Sequence, residues 1–261
     1  MGQFIAGCCF LLCASAVSAQ PRTVHLEEMT WPEVRDAIAS GTSAALYYAG
    51  STEQNGPHMV LGKHGLIARH VAERIALRLG NTLVYPVLPY APTGNTATRS
   101  GHMRYPGSVS ISEETFGAVA REVALSAIAA GFRQVILMGD HGGGQDALAR
   151  VAKNLDSEWQ GKGVRVVYIA DVYYRASALA DKELRRLKLA QGTHADIVDT
   201  SELMYVDKSG KGLRRGRIAA GNGANGVAGD PRKASAQLGA RFIEYKVISA
   251  VDQIRTLLPQ R

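Results

Sequence analysis

The chain has 261 residues, with 30 Lys and Arg against 23 Asp and Glu, a formal net charge of +7, 46 % hydrophobic and 20 % charged residues. This is an ordinary globular composition, which excludes a mostly disordered chain; 28 glycines without a G-X-Y period exclude a collagen-like one. The three cysteines, Cys8, Cys9 and Cys13, all lie at the front, while the seven histidines begin at His25. Beyond the front segment, therefore, no disulfide scaffold or Cys-ligated zinc can form, and any metal falls to imidazole and carboxylate.

Residues 4–17 form an apolar run without charge, too short for a membrane span, and Val17-Ser18-Ala19 offers small residues to a signal peptidase. The expectation is a signal peptide cleaved after Ala19, an exported, periplasmic protein, and one domain over residues 20–261. No later segment reaches transmembrane length without charges.

The next elements follow in chain order. Thr30-Trp31-Pro32-Glu33 is a capping box that opens a helix to about Ser40. Ala44–Gly50 reads as a buried strand, and Lys63–Leu79 as a helix with Leu66, Ile67, Val71, Ile75 and Leu77 at helical spacing. Thr82–Tyr90 predicts a strand, and Ser112 caps a helix that runs to Ala130 before Gly131. Gln134–Met138 is a strand, Gly144–Trp159 a helix, and Val164–Val172 a strand closed by Tyr173 and Tyr174. Ala178–Leu189 and Ala195–Val206 read as helices, Lys208–Asn225 as a long loop, and Lys233–Leu258 as a C-terminal helix. Strands separated by helices imply an α/β fold in three layers, α/β/α, around a mainly parallel sheet.

In such a sheet, ligands bind beyond the carboxyl ends of the strands. Three polar segments stand out: Gly50 to His64 after the first strand, Gly139-Asp140-His141-Gly142-Gly143-Gly144-Gln145 after the third, and Thr193 to Glu202. The glycines beside His141 let the backbone approach a ligand and offer N–H groups to a developing oxyanion.

These segments carry a resemblance. Glu53 to His64 resembles the E-Q-H-G-P-H-L-P-L-x-x-D pattern of the creatininase (creatinine amidohydrolase) family. Gly101 to Ser108 resembles its E-H-x-x-F-P-G-T, and Gly139 to Gly144 its N-G-H-G-G-N turn. His194 to Ser201 resembles its H-A-G-x-x-E-T-S, and Gly226 to Pro231 its G-V-x-G-D-P. The resemblance implies a three-layer fold with a two-metal centre, hydrolysis of non-peptide C–N bonds in small, often cyclic amides, and a homo-oligomer, a hexamer in the family.

Carried over residue by residue, Glu53 and His141 stand at ligand positions, His64 replaces a bridging Asp, Asn55 replaces a ligand His, and Gly143 has no side chain. A neutral imidazole has one lone pair and cannot bridge two cations as a carboxylate can, and an amide is a weak zinc ligand. The implied centre is one divalent metal per chain held by Glu53, His64 and His141, zinc first with Mn and Fe left open. This is a His₂Glu set with a position free for water. His194 occupies the place of the family's proton-transfer histidine, and Asp199 would orient it or bind metal, so these two are the candidate catalytic residues. The expected reaction is attack of metal-activated water on a small amide. The alternatives are a short-peptide hydrolase of the same family and a non-catalytic periplasmic relative that binds a small ligand or a metal.

Other polar residues have plainer readings. Asn55 before Gly56 suits a turn, His58 a structural role, and His25 and His70 the surface. His102 is a candidate to line the site, Asp140 to support a ligand or satisfy backbone amides, and Tyr173 and Tyr174 to wall the pocket. Lys208, Lys211, Arg214, Arg215 and Arg217 form a basic run without interleaved aromatics or a nucleic-acid-binding motif, so a solvated loop is expected and no nucleic acid.

Overall fold

A computed structural model describes residues 23–258; the expected signal peptide lies outside the described residues. Four strands, β1 (Ala44–Ala49), β2 (Thr82–Val84), β3 (Gln134–Gly139) and β4 (Arg165–Tyr168), pair in parallel in the order β2-β1-β3-β4. Among the described residues seven α-helices accompany them: α1 (Trp31–Ala39), α2 (Lys63–Leu79), α3 (Glu113–Ala130), α4 (Gln145–Trp159), α5 (Tyr174–Arg186), α6 (Ile197–Val206) and α7 (Ala236–Leu257).

All six residues of β1 are buried, because helices cover both faces of the sheet and no polar alternation is needed. Ala44, Leu46 and Tyr48 pack on one face against Ile67, Val71 and Ile75 of α2 and Ile243, Val247 and Val251 of α7. Ala45, Tyr47 and Ala49 pack on the other against Phe116 and Ala120 of α3 and Leu148 and Leu155 of α4. The three-layer α/β/α expectation is met. Each fully buried Val, Leu, Ile or Phe in these layers contributes roughly 1.5–3 kcal/mol of transfer free energy.

Several local expectations change. The buried stripe of α2 is Ile67, Ala68, Val71, Ala72, Ile75, Ala76 and Leu79, whereas Leu66 and Leu77 face solvent. β2 stops at Val84 because Pro86 and Pro89 have no N–H to give the ladder; beyond them Leu88 rejoins β1 through a single bridge with Ala49. β4 stops at Tyr168, and α5 starts a turn earlier than expected. Tyr173 and Tyr174 both bond back to Ala170 O, and Tyr174 begins the helix with its side chain half exposed. α6 starts at Ile197, capped by the Asp196 carboxylate on Val198 N and Asp199 N. α7 starts at Ala236 after the Ser235 cap, with Pro231–Lys233 forming a separate 3₁₀ turn.

α7 crosses α6 at Gly239, where a Cβ would come 1.8 Å from Ser201 O, so only glycine permits that approach. The Thr30 cap is confirmed: Glu33 Oε2 accepts from both the backbone N–H and the hydroxyl of Thr30, each at 2.7 Å. His25 is buried, 3.7 Å from Glu73, not a surface residue, and His70 is half-buried.

Candidate metal centre

Because the strands are parallel, the loops after β1 and β3 open at the same carboxyl end of the sheet, where the following helices start. Glu53 lies in the loop after β1, and His141 just after β3. His64 is the second residue of α2, His102 sits in a 3₁₀ turn at Gly101–Arg104, and His194 precedes α6. The loop carrying Glu53 is held shut by Asn55, whose amide nitrogen donates to Glu53 O, Val60 O and Leu61 O at 2.8, 3.2 and 3.4 Å. Asn55 thus serves the turn, and His58, fully buried on the Thr200 hydroxyl at 2.9 Å, is structural as expected.

Four imidazoles converge on the fully buried Glu53 carboxylate. His64 Nε2 lies 3.2 Å from Oε1, His141 Nε2 2.8 Å from Oε2, and His102 Nε2 and His194 Nδ1 each 3.8 Å from Oε1. Burial would raise the Glu53 pKa, but His141 and His64 beside it outweigh burial and hold it well below the usual carboxylate range. These groups line a cavity of about 460 Å³ that extends past Tyr173 to Phe242 and Lys246.

The hydrogen-bond partners assign the protons. Asp140 Oδ2, 2.7 Å from His64 Nδ1, only accepts, so His64 carries a proton on Nδ1 and its Nε2 faces Glu53. That bond is how a carboxylate orients a metal-binding histidine from behind. Gln54 Oε1 accepts from Gly56 N at 2.9 Å, which turns the Gln54 amide nitrogen onto His102 Nδ1 at 3.0 Å. His102 therefore presents an N–H, on Nε2, to the site. His194 Nε2 donates to Gln54 O at 2.9 Å and presents the lone pair of Nδ1. Burial pushes the His194 pKa down to about 4, so the ring is neutral near pH 7. The rings of His102 and His194 lie 4.4 Å apart, a donor beside an acceptor.

The residues fit a divalent cation. Glu53 Oε2 is buried without a hydrogen-bond partner, with His141 Nε2 2.8 Å from it, while His64 Nε2 meets Oε1 at 3.2 Å. Glu53, His102 and His141 each bring one ligand atom to within 4.8 Å of the others, alone among such groups in the described residues. His64 reaches the same carboxylate from outside that tight group. A carboxylate with imidazoles is a donor set for zinc, manganese or iron.

Two lysines went unrecognised in the sequence. Lys246 Nζ pairs with Asp140 Oδ1 at 2.7 Å and Glu202 Oε2 at 3.5 Å, and Tyr48 OH donates to Asp140 Oδ1 at 3.1 Å. Lys246 left no local signal, since it lies 106 residues from Asp140 on a helix of ordinary pattern. Lys63 Nζ lies 2.8 Å from Asp199 Oδ1, and Asp199 Oδ2 accepts from Ala195 N at 2.7 Å. Asp199 thus lines the cavity, but both of its oxygens have partners other than His194, which Gln54 O orients instead. The N–H groups of Gly143 and Gly144 are taken by His141 Nδ1 and Glu113 Oε1, so they do not serve an oxyanion.

A model of the creatininase family, described as creatinine amidohydrolase, matches residues 27–254. The chain belongs to the creatininase family. Family members are amidohydrolases, and the chain is a creatininase-family hydrolase. A creatinine amidohydrolase of Pseudomonas putida is 28 % identical over 120 residues, 46 % of this chain, and the match spans only 45 % of that relative's length. A mycofactocin precursor peptide peptidase of Mycobacterium ulcerans is 28 % identical over 250 residues, 88 % of this chain and 87 % of that protein. A creatininase variant of the Zn-Zn type is 21 % identical, with a TM-score of 0.76, 92 % of this chain and all of that chain covered, which shows the creatininase fold. A further solved structure of the same fold is of creatininase with Mn. Among the described residues no helix is long and apolar enough to cross a membrane.

Proposed function

We propose that the chain is a metal-dependent hydrolase that cleaves a non-peptide C–N bond of a small amide, cyclic amides included. The convergence of four imidazoles on the buried Glu53, in a cavity of about 460 Å³, carries this reading. The volume falls within the roughly 300–1,000 Å³ usual for small-molecule pockets. One divalent cation, zinc before Mn or Fe, would be held by Glu53, His64 and His141. His64 is chosen over His102 because its Nε2 lies nearer the carboxylate, 3.2 Å against 3.8 Å from Oε1, and Asp140 holds its ring from behind. When bound, the cation supplies Lewis acidity that polarises the amide carbonyl and acidifies water.

The chain's own groups then move the protons. His194 Nδ1, neutral and unprotonated, accepts a proton from water and returns it to the leaving nitrogen. Lys63 holds Asp199 ionised; with burial, the Lys63 ammonium lowers the basicity of His194 by more than the Asp199 carboxylate restores, which keeps the ring neutral and ready to accept. His102 Nε2–H donates to the carbonyl oxygen as charge develops there. Tyr173 and Phe242 enclose the substrate on the apolar side.

A second reading, hydrolysis of a short peptide, is favoured by the peptide peptidase match over 88 % of this chain. Assay of purified protein against lactams, linear amides and short peptides separates the two. Turnover of one class should vanish after chelation and return with added zinc or manganese. Turnover that survives complete metal removal overturns the metal-dependent reading, and metal binding without turnover on any class supports the non-catalytic relative.

We also propose export to the periplasm, on the strength of the uncharged run over residues 4–17 and Val17-Ser18-Ala19. The mature N-terminus is expected at Gln20 by mass spectrometry of periplasmic extract, and an intact Met1 there would contradict cleavage. Hexamer assembly is proposed on the family resemblance alone.

A further inference from the structure

Lys63 occupies the first position of α2, the helix end at which peptide dipoles oppose a cation, yet its side chain is fully buried. An ammonium in such a place needs compensation. Its counter-charge is Asp199 Oδ1 at 2.8 Å, but the approach is off hydrogen-bond geometry and Nζ has no hydrogen-bond partner. The ammonium therefore acts as a point charge. Its field reaches His64, His102 and His194 as well as Asp199.

The surroundings offer little to a second metal ion. Asn55 spends its amide nitrogen on three backbone carbonyls, which leaves one neutral oxygen, a poor zinc donor. At Gly143 a Cβ would come 2.0 Å from Pro92 O, so no side-chain ligand can stand there. A creatininase variant of the same fold is nevertheless of the Zn-Zn type.

We propose that Lys63 is a built-in cation beside the metal centre: its ammonium, set against Asp199, supplies fixed positive charge in place of a second divalent ion. The inference rests on the metal-centre reading above and deepens it, since it explains why one divalent ion suffices. Lys63 is a positioning residue; it keeps Asp199 ionised and aimed at the cavity without touching substrate.

Metal stoichiometry tests this independently of turnover. Metal-free protein is titrated with zinc, and bound metal is measured by native mass spectrometry on the wild type, Lys63→Ala and the double variant Lys63→Met/Asp199→Asn. The wild type should take one zinc per chain, and Lys63→Ala a second, bound at the Asp199 carboxylate once its cation is gone. The double variant should return to one, having lost that carboxylate as well. If Lys63→Ala does not fold, Lys63→Gln, which keeps a donor toward Asp199 without the charge, serves in its place. Two zincs on the wild type overturn the inference but leave the metal centre standing; none overturns both. One zinc on the wild type and on the single variant also overturns it, making Lys63 a plain ion-pair partner of α6.

Discussion

Glu53→Gln is expected to abolish turnover and metal retention while leaving the secondary structure unchanged. The substitution is nearly isosteric at a fully buried position, so packing is preserved. The negative charge that gathers His64 and His141 is lost, however, and a neutral amide oxygen replaces the anionic ligand. The expected fall in kcat/KM is on the order of 10³-fold or more, since the electrostatic centre and the placement of the proton-moving imidazoles are lost together. His141→Ala should behave alike, because it removes the ligand on the other carboxylate oxygen. Steady-state assay, metal analysis and far-UV circular dichroism check this. Full turnover in either variant would remove Glu53 and His141 from the mechanism.

Asp140→Asn should weaken both the metal centre and the fold. Asp140 accepts from His64 Nδ1 at 2.7 Å, Lys246 Nζ at 2.7 Å and Tyr48 OH at 3.1 Å, and it is 2 % exposed. Loss of the carboxylate behind a metal-binding histidine costs about 10–100-fold in metal affinity or activity. The same change breaks a buried pair and leaves the Lys246 ammonium with Glu202 alone at 3.5 Å, a loss of about 3–5 kcal/mol. In a domain of this size that lowers Tm by roughly 6–20 °C. Zinc titration and calorimetry read the two effects separately. A variant with wild-type zinc affinity and a lowered Tm would show that Asp140 supports the fold without positioning His64.

Much of the site was legible before the fold was known, for a physical reason. Glu53, His64 and His141 lie within four residues of helix starts or strand ends, and strand–loop–helix boundaries are written locally in glycine, proline and hydrophobic runs. The five-motif resemblance added the roles that local pattern could not. The sequence marks His102 as a lining candidate, but its inward N–H depends on the Gln54 amide, whose orientation only the Gly56 bond decides. A separation of five residues suggests that Asp199 serves His194. In the fold it answers to Lys63, 136 residues away in sequence, through an approach of α2 and α6 that no local spacing encodes. Strand lengths were overread at β2 and β4, since β-propensity continues past the point where a partner strand is available.

The sequence by itself determined an α/β chain of alternating strands and helices, a metal chemistry restricted to imidazole and carboxylate, and the loops where that chemistry gathers. These follow from composition, periodicity and breakers, which act over a few residues. Only the tertiary structure decided which imidazole offers a lone pair and which a proton, and which carboxylate each buried lysine answers. Those outcomes depend on pairs far apart in sequence, among them Asp140 with His64 and Lys246, and Lys63 with Asp199. In a low-dielectric interior a charge is stable only where the fold has placed its partner.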